Sequence, residues 1–449
     1  MRPYPAYKDS GVEWLGEVPE GWEVVPVKAV ASCNDETLPE DTDPELEIEY
    51  VEISGVDANA GIVETTATKF GPAPSRARRI IRHGDVLIST VRTYLRAIAQ
   101  AVEPAPNLIA STGFAVLRPK AIDSGFLGYA CRAEYFISEV ISRSVGVSYP
   151  AINASQIGTL AIPLPPLPEQ QTIARFLDKE VAKIDALVAE QRRLIALLAE
   201  KRQAVISHAV TKGLNPATPL KPSGIDWLGD IPEGWEVVRL KADLAFLTSG
   251  SRGWADFYSD DGALFIRIGN LTREAIGLDL SDIQRVTVPS GAEGERTRIR
   301  PGDLLFSITA FLGSVAVVPD QIEDAYVSQH VALARLCQKR LLPEWVAYVT
   351  LSSVGKSYLA SKGYGGTKVQ LGLDDIGNLT VTCPPVAKQQ EIITFLRNKL
   401  TAFDALTTAS TSAISLLQER RAALISAAVT GKIDLRPHFA QSLSEPESA

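Results

Sequence analysis

The chain has 449 residues, with 45% hydrophobic and 22% charged content, which fits a soluble protein of two to four ordinary domains. No run of about eighteen apolar residues marks a membrane span, and MRPYPAYKDSGVEW lacks the apolar stretch of a secretory leader. Cys33, Cys131, Cys337 and Cys383 stand far apart with no CxxC pair, which suits reduced thiols in the cytoplasm and excludes a disulfide framework or zinc site.

Net charge is −8, which at first argues against a polyanion as partner. The segment Asp35 to Glu49 alone holds eight acidic and no basic side chains. The remainder is therefore formally neutral, so local basic patches or a basic partner can still meet DNA.

In chain order, residues 1–23 form a Trp-rich leading segment, containing most of GVEWLGEVPEGWEVVPVK at 11–28. Residues 24–165 read as a mixed α/β insert. Strand-like runs occur at Ile48-Glu-Tyr-Val-Glu-Ile and Asp85-Val-Leu-Ile-Ser-Thr, followed by an amphipathic stretch over 126–142. Basic side chains cluster here: Arg76, Arg78, Arg79 and Arg82, then Arg92 and Arg96 with Tyr94 between them. Arginine's planar fork suits phosphates and guanine edges, so these are candidate DNA contacts. Ser148 and Tyr149, in the small-residue loop GVSYP, fit either a phosphate approach or a plain turn.

Residues 166–213 follow as a long helix without internal Gly or Pro. Leu177, Ile184, Gln191, Leu198 and Val205 recur every seven residues, with Leu187 and Leu194 on a second row. Such spacing predicts a coiled-coil seam. His208 is read as packed along it.

The plan then repeats. Residues 214–236 are a linker leading into GIDWLGDIPEGWEVVRLK at 224–241, which matches the first copy at twelve of eighteen positions. Residues 237–382 form a second α/β insert, with strands near 264–268, 303–308 and 314–318 and a helical pattern over 343–360. Its candidate DNA contacts are Arg267, Arg296 and Arg298, joined by Thr367 and Lys368 of the loop GGTK; Arg273 and Arg300 add to the basic character. Residues 383–432 repeat the helix, with Leu396, Phe403, Ser410, Leu417 and Leu424 on one row and Leu406 and Ala413 on the other. Residues 433–449 read as a disordered tail. The offset between copies drifts only from 213 to 219 residues. One frame carries two different inserts, the layout expected when one scaffold presents two specificities. The fold class is therefore α+β: two pseudo-symmetric α/β domains joined by two long helices that pair as an antiparallel coiled coil.

Catalytic signatures are missing. No lysine has an acidic residue two positions before it, as a carboxylate–lysine nuclease requires. The paired prolines at 165–166 and 384–385 lack the amide and aromatic of an adenine methyltransferase loop. Gly355-Lys356-Ser357 lacks the first glycine of a phosphate loop and lies in a helical pattern. His83, His208, His330 and His438 show no metal spacing. No catalytic residue and no metal site is expected.

These motifs, in this order and duplication, resemble the type I restriction–modification specificity subunit over nearly the whole chain. The resemblance implies that the inserts are target recognition domains, each reading half of a bipartite double-stranded DNA site, with no chemistry of the chain's own. It implies that the helices set the spacer and dock two methyltransferase subunits, with restriction/translocase subunits joining them. S-adenosylmethionine, ATP and Mg belong to those partners. The helix residues expected to meet partners are Glu169, Gln170, Phe176, Leu177 and Ile184, with Gln389, Phe395, Leu396 and Phe403 in the second copy. Lys388 stands where the first copy has Glu169, which puts symmetric docking in doubt. Two other readings stay open: a non-DNA scaffold bridging two identical partners, and a subunit serving a single bifunctional nuclease–methyltransferase.

Overall fold

The structure is a computed structural model that describes residues 2–289, 291–365 and 369–437. It divides into two compact units: residues 1–191 with 412–449, and residues 192–411. The division cuts both long helices, α1 (Leu167–Lys212) and α2 (Val386–Val429), near their middles. Each unit therefore holds the first half of one helix and the second half of the other.

Within each unit these halves run antiparallel. In unit one Arg421 donates to Asp185 at 3.0 Å, while the earlier residues Ile173 and Leu177 share a core with the later Ile425, Ala428 and Val429. In unit two Arg202 pairs with Asp404, and Thr382, just before α2, donates to the carbonyl of Val210 near the end of α1 at 2.6 Å. Arg202 and Arg421 are equivalent in the repeat, as are Asp185 and Asp404, so both units use one ion-pair device.

The first sevenfold row packs as expected, with Leu177, Ile184, Leu198, Leu396, Phe403 and Ser410 buried. The second row does not: Leu187, Leu194 and Leu406 are exposed. The seam is completed instead by Val181, Val188, Leu400 and Ala428, four residues along from the first row. That row also carries Arg202, Thr407 and Arg421, which hid its periodicity. His208 is exposed as well.

The two inserts share a topology. In unit one a sheet has the order Ile98–Gln100, Val86–Ser89, Phe114–Pro119, Ala31–Cys33, all antiparallel. In unit two the corresponding order is Val315–Val317, Leu304–Ser307, Val331–Leu336, Leu244–Ser249. A second four-stranded sheet in each unit contains one parallel pair, Glu47–Val51 with Leu108–Ser111 and Ala263–Ile266 with Ala325–Val327. The runs VLIS and LLFS are buried at every position, which removes the alternation of a half-exposed strand. The stretches over 126–142 and 343–360 each become two helices, Ser124–Arg132 with Glu134–Ser142 and Pro343–Leu351 with Ser353–Lys362. The breaks fall at Ala133 and Ser352, both extended; Ser352 caps the second helix by accepting the Gly355 N–H at 3.2 Å, whereas Ala133 carries no such signal.

Two buried clamps repeat. Asp85 is fully buried and takes both Nε and a terminal nitrogen of Arg118, at 2.9 and 2.8 Å, plus the Arg82 N–H at 2.8 Å. Asp303 holds Arg335 the same way at 2.7 and 2.6 Å, with the Arg300 N–H at 2.7 Å. This explains why HGD and PGD recur ahead of the two buried strands.

The leading segment closes onto the far end of the chain. Gly431 terminates α2 at φ +72°, and a Cβ there would approach Pro19 to 2.3 Å and the Trp22 ring to 3.2 Å. Past it, Leu435 is buried and the Asp434 N–H donates to the carbonyl of Arg2 at 2.8 Å. Residues 433–437 are thus packed structure, a correction to the expected tail; 438–449, with His438, lie outside the described residues.

Candidate nucleic-acid interface

Most of the arginines singled out in the sequence are committed inside their own unit. The Arg76–Arg82 cluster lies against the acidic stretch that begins at Asp35. Arg82 reaches Glu36 at 2.8 and 3.2 Å, and Arg78 donates to the carbonyls of Ser75 and Pro39 while covering the Phe70 ring at 4.7 Å. Hydrogen bonds from Arg82 and then Arg118 hold the Glu36 carboxyl below its ordinary range. Arg79 bridges to Thr37 and buries its Nε. Only Arg76 of the cluster is exposed without a side-chain partner among the described residues. Arg96 forms a two-pronged pair with Glu134, both bonds at 2.8 Å. In unit two Arg267 meets Asp282 at 3.1 Å and Arg298 meets Asp324 at 2.7 Å; Arg296 donates to Thr248 and to the Ser249 carbonyl. Carboxylates distant in sequence thus pair with Arg82, Arg96, Arg267 and Arg298, while Arg78 and Arg296 donate to carbonyl and hydroxyl oxygens.

What does stand free is a pair of loops at one place in each unit. In unit one the chain leaves strand Val86–Ser89 and turns at Arg92 and Arg96, both left-handed with φ of 51° and 55°. It then runs beside residues 143–151. The Arg92 N–H donates to the Pro150 carbonyl at 2.8 Å, the Ile152 N–H to Thr90 at 2.9 Å, and Val145 and Ala151 exchange bonds of 2.9 and 3.0 Å. Unit two repeats all four. Ala310, left-handed at φ 64°, donates to Val369 at 3.0 Å, Leu371 donates to Ile308 at 3.0 Å, and Tyr364 and Gln370 exchange bonds of 3.0 and 2.8 Å. Gly146 and Gly365 sit just after the first bridging residue at φ 118° and 109°, a conformation that side chains disfavour.

The backbones match and the side chains do not. Unit one exposes Tyr94, Leu95, Val145, Val147 and Tyr149; unit two exposes Phe311, Tyr364 and Val369. Val147 is 101% exposed. Each platform carries a cation over a ring, Arg92 at 4.8 Å from the Tyr149 centroid and Arg273 at 5.9 Å from Phe311. The segments 90–96, 143–151, 308–314 and 363–371 contain no Asp or Glu. Of the sequence candidates, Arg92, Arg96, Ser148 and Tyr149 lie here. Thr367 and Lys368 lie outside the described residues. The exposed valines and Phe311 were missed, although apolar residues beside a loop glycine were the available signal.

The helix residues expected to meet partners are mostly internal. Leu177, Ile184, Leu396 and Phe403 are buried in the seam. Gln170 accepts the Asp123 N–H at 2.8 Å and donates to the Pro165 carbonyl at 2.7 Å. Gln389 accepts the Leu342 N–H at 2.9 Å and donates to the carbonyls of Arg340 and Pro384 at 2.6 and 2.9 Å. Glu169 accepts from the Tyr4 hydroxyl. Phe176 is half-buried and Phe395 exposed. Identity between the copies at Gln170 and Gln389 and at Leu177 and Leu396 marked shared frame packing, because the same packing demands the same residues. A different set is both repeated and exposed: Leu187 and Leu416 in unit one, and their equivalents Leu406 and Leu197 in unit two, at 49% to 64%.

Among the described residues no group of His, Cys, Asp or Glu is placed to hold a metal, and no helix is long and apolar enough to cross a membrane. The model of the type I restriction modification DNA specificity domain matches residues 19–195 and again 232–416. The chain belongs to that family. As a type I specificity subunit it supplies DNA sequence specificity to a restriction–modification system. It is 25% identical to the EcoKI specificity subunit of Escherichia coli K12 over 436 residues, covering 93% of this chain and 90% of that protein. It is 23% identical to the Escherichia coli EcoBI specificity subunit over 306 residues, 66% of this chain and 64% of that one. Among solved structures it shares its fold with a chain from a study of complex assembly and conformational transition of the type I R-M system. That match has a TM-score of 0.73 at 23% identity and covers 93% of this chain and 99% of that chain. Both domain matches end within the long helices, so each takes in one insert with most of a helix.

Proposed function

We propose that this specificity subunit reads a bipartite double-stranded DNA target, one half-site per unit, through the two loop platforms. The observation that carries the reading is the platform itself: four backbone bonds repeated between units, with different exposed side chains mounted on them. Phosphate contacts position such a domain and a few side chains specify the bases, and two reading units carried on one chain multiply modest affinities. The chain catalyses nothing itself. Methylation and cleavage belong to two modification subunits and to restriction/translocase subunits, which take S-adenosylmethionine, ATP and Mg, and the assembly works in the cytosol. Co-expression with the modification subunit, followed by genome-wide mapping of methylated adenines, is expected to yield a bipartite motif that vanishes without this chain. A well-formed complex that adds no methylation rejects the reading in favour of a scaffold.

Docking falls to the exposed leucines rather than to the seam. Two copies of one partner need the same surface twice, and Leu187 with Leu416 in unit one repeats as Leu406 with Leu197 in unit two. Replacing Leu187 and Leu416 with aspartate is expected to lower the modification subunits bound from two to one by native mass spectrometry. The Leu197/Leu406 pair should do the same, and all four changes should leave none. Two subunits on every variant would remove these helix faces from docking.

A further inference from the structure

We propose that each loop platform opens a base step of its half-site with an apolar wedge, Val147 and Tyr149 in unit one and Phe311 and Tyr364 in unit two. This rests on the reading that the platforms face the duplex, and it specifies how they read it. The large side chains exposed at the tips are valine, leucine, tyrosine and phenylalanine. Arg92 and the exposed Ser148 beside them can hydrogen-bond to bases or phosphates, but direct readout of the donor and acceptor pattern leaves the apolar groups without a role. The outside of a duplex offers apolar side chains two kinds of surface, thymine methyl groups and the faces of unstacked bases. Planar rings suit the second, because every base has a face on which an aromatic side chain stacks.

Reciprocal backbone bonds between Val145 and Ala151, and between Tyr364 and Gln370, close the base of each loop, which reduces the conformational freedom to be lost on binding. Large exposed apolar groups in a soluble protein mark a surface meant for a partner, and Val147 has no cover at all. Charge agrees. The platform segments hold no acid in a chain of net charge −8, and Arg92 and Arg273 stand beside the rings, next to where the phosphates of an opened step would pass. The cost of opening depends on the step and is lowest at pyrimidine–purine steps, so a wedge selects sequence without touching base edges.

The test uses the complete complex with its modification subunits and cognate duplexes carrying 2-aminopurine at successive positions other than the methylated adenines. Raised emission is expected at one step in each half-site, a pyrimidine–purine step. Val147→Ser with Tyr149→Ser should abolish the signal in one half-site and spare the other, and Phe311→Ser with Tyr364→Ser should do the reverse. Each pair should weaken cognate binding on the order of 10-fold or more, as loss of ring–base stacking does, while leaving binding to unrelated DNA nearly unchanged. The serine changes lie on exposed positions, and unaltered circular dichroism and complex stoichiometry verify folding. Flat emission at every position alongside sequence-specific binding overturns the wedge but leaves the platforms facing DNA. So does an equal loss on replacing thymine by uracil without any emission change, which assigns the tips to methyl groups. Variants with unchanged affinity and unchanged target overturn the underlying reading as well.

Discussion

Replacing Asp303 with alanine is expected to destabilise unit two by about 3–5 kcal/mol, the range for leaving one member of a buried ion pair alone. Asp303 is essentially inaccessible, its two oxygens hold Arg335 in a fork, and one of them also accepts the Arg300 N–H. Alanine strands the guanidinium beside Phe246, with no second carboxylate bonded to it among the described residues. The equivalent change in unit one differs in a way that checks the explanation. Arg118 is held by Asp85 but also donates to Glu36 at 2.5 Å, so Asp85→Ala leaves the cation one partner and should cost less. Denaturant titration of the two variants decides the matter. Losses below about 1 kcal/mol for Asp303→Ala, or a larger loss for Asp85→Ala, would show that the clamp is not what holds the buried strands in place.

These clamps also show where sequence reading stops. HGDVLIS and PGDLLFS were visible as a repeat, yet nothing local reveals that their aspartates reach Arg118 and Arg335, some thirty residues on. The same limit hid the partners of the arginines. Four of them fall between 76 and 82, and the fold lays residues 36–39 alongside Arg78, Arg79 and Arg82. The helices were legible because their periodicity is local. Their second seam row was not, since a leucine stands three residues after the first row and an arginine, at Arg202 and Arg421, interrupts the true row four residues after it. The platforms fall between these cases. Gly146 and Gly365 announce loops, but only the pairing with residues 90–96 and 308–314 shows that two loops make one surface.

The way the frame grips its inserts bears on the last expectation. Gln170 bonds the Asp123 N–H, Gln389 the Leu342 N–H and the Arg340 carbonyl, Arg421 the Asn59 carbonyl at 2.9 Å, and Arg202 the Glu274 carbonyl at 2.8 Å. All of these bonds end on backbone atoms of the insert, although Asp178 with Tyr129, Gln203 with Lys356 and Arg397 with Glu344 join side chains. A side chain that holds a backbone carbonyl is indifferent to which residue supplies it, so identical frame residues tolerate inserts that have diverged almost completely. Exchanging residues 237–382 for the corresponding domain of another family member is therefore expected to preserve folding and assembly. Mapping of methylated adenines should then show one half-site replaced and the other, with the spacer, unchanged. A change in both half-sites would mean that reading is shared between the inserts. A folded exchange that loses methylation altogether would mean that the frame recognises insert side chains after all, against the backbone contacts seen at all four grips.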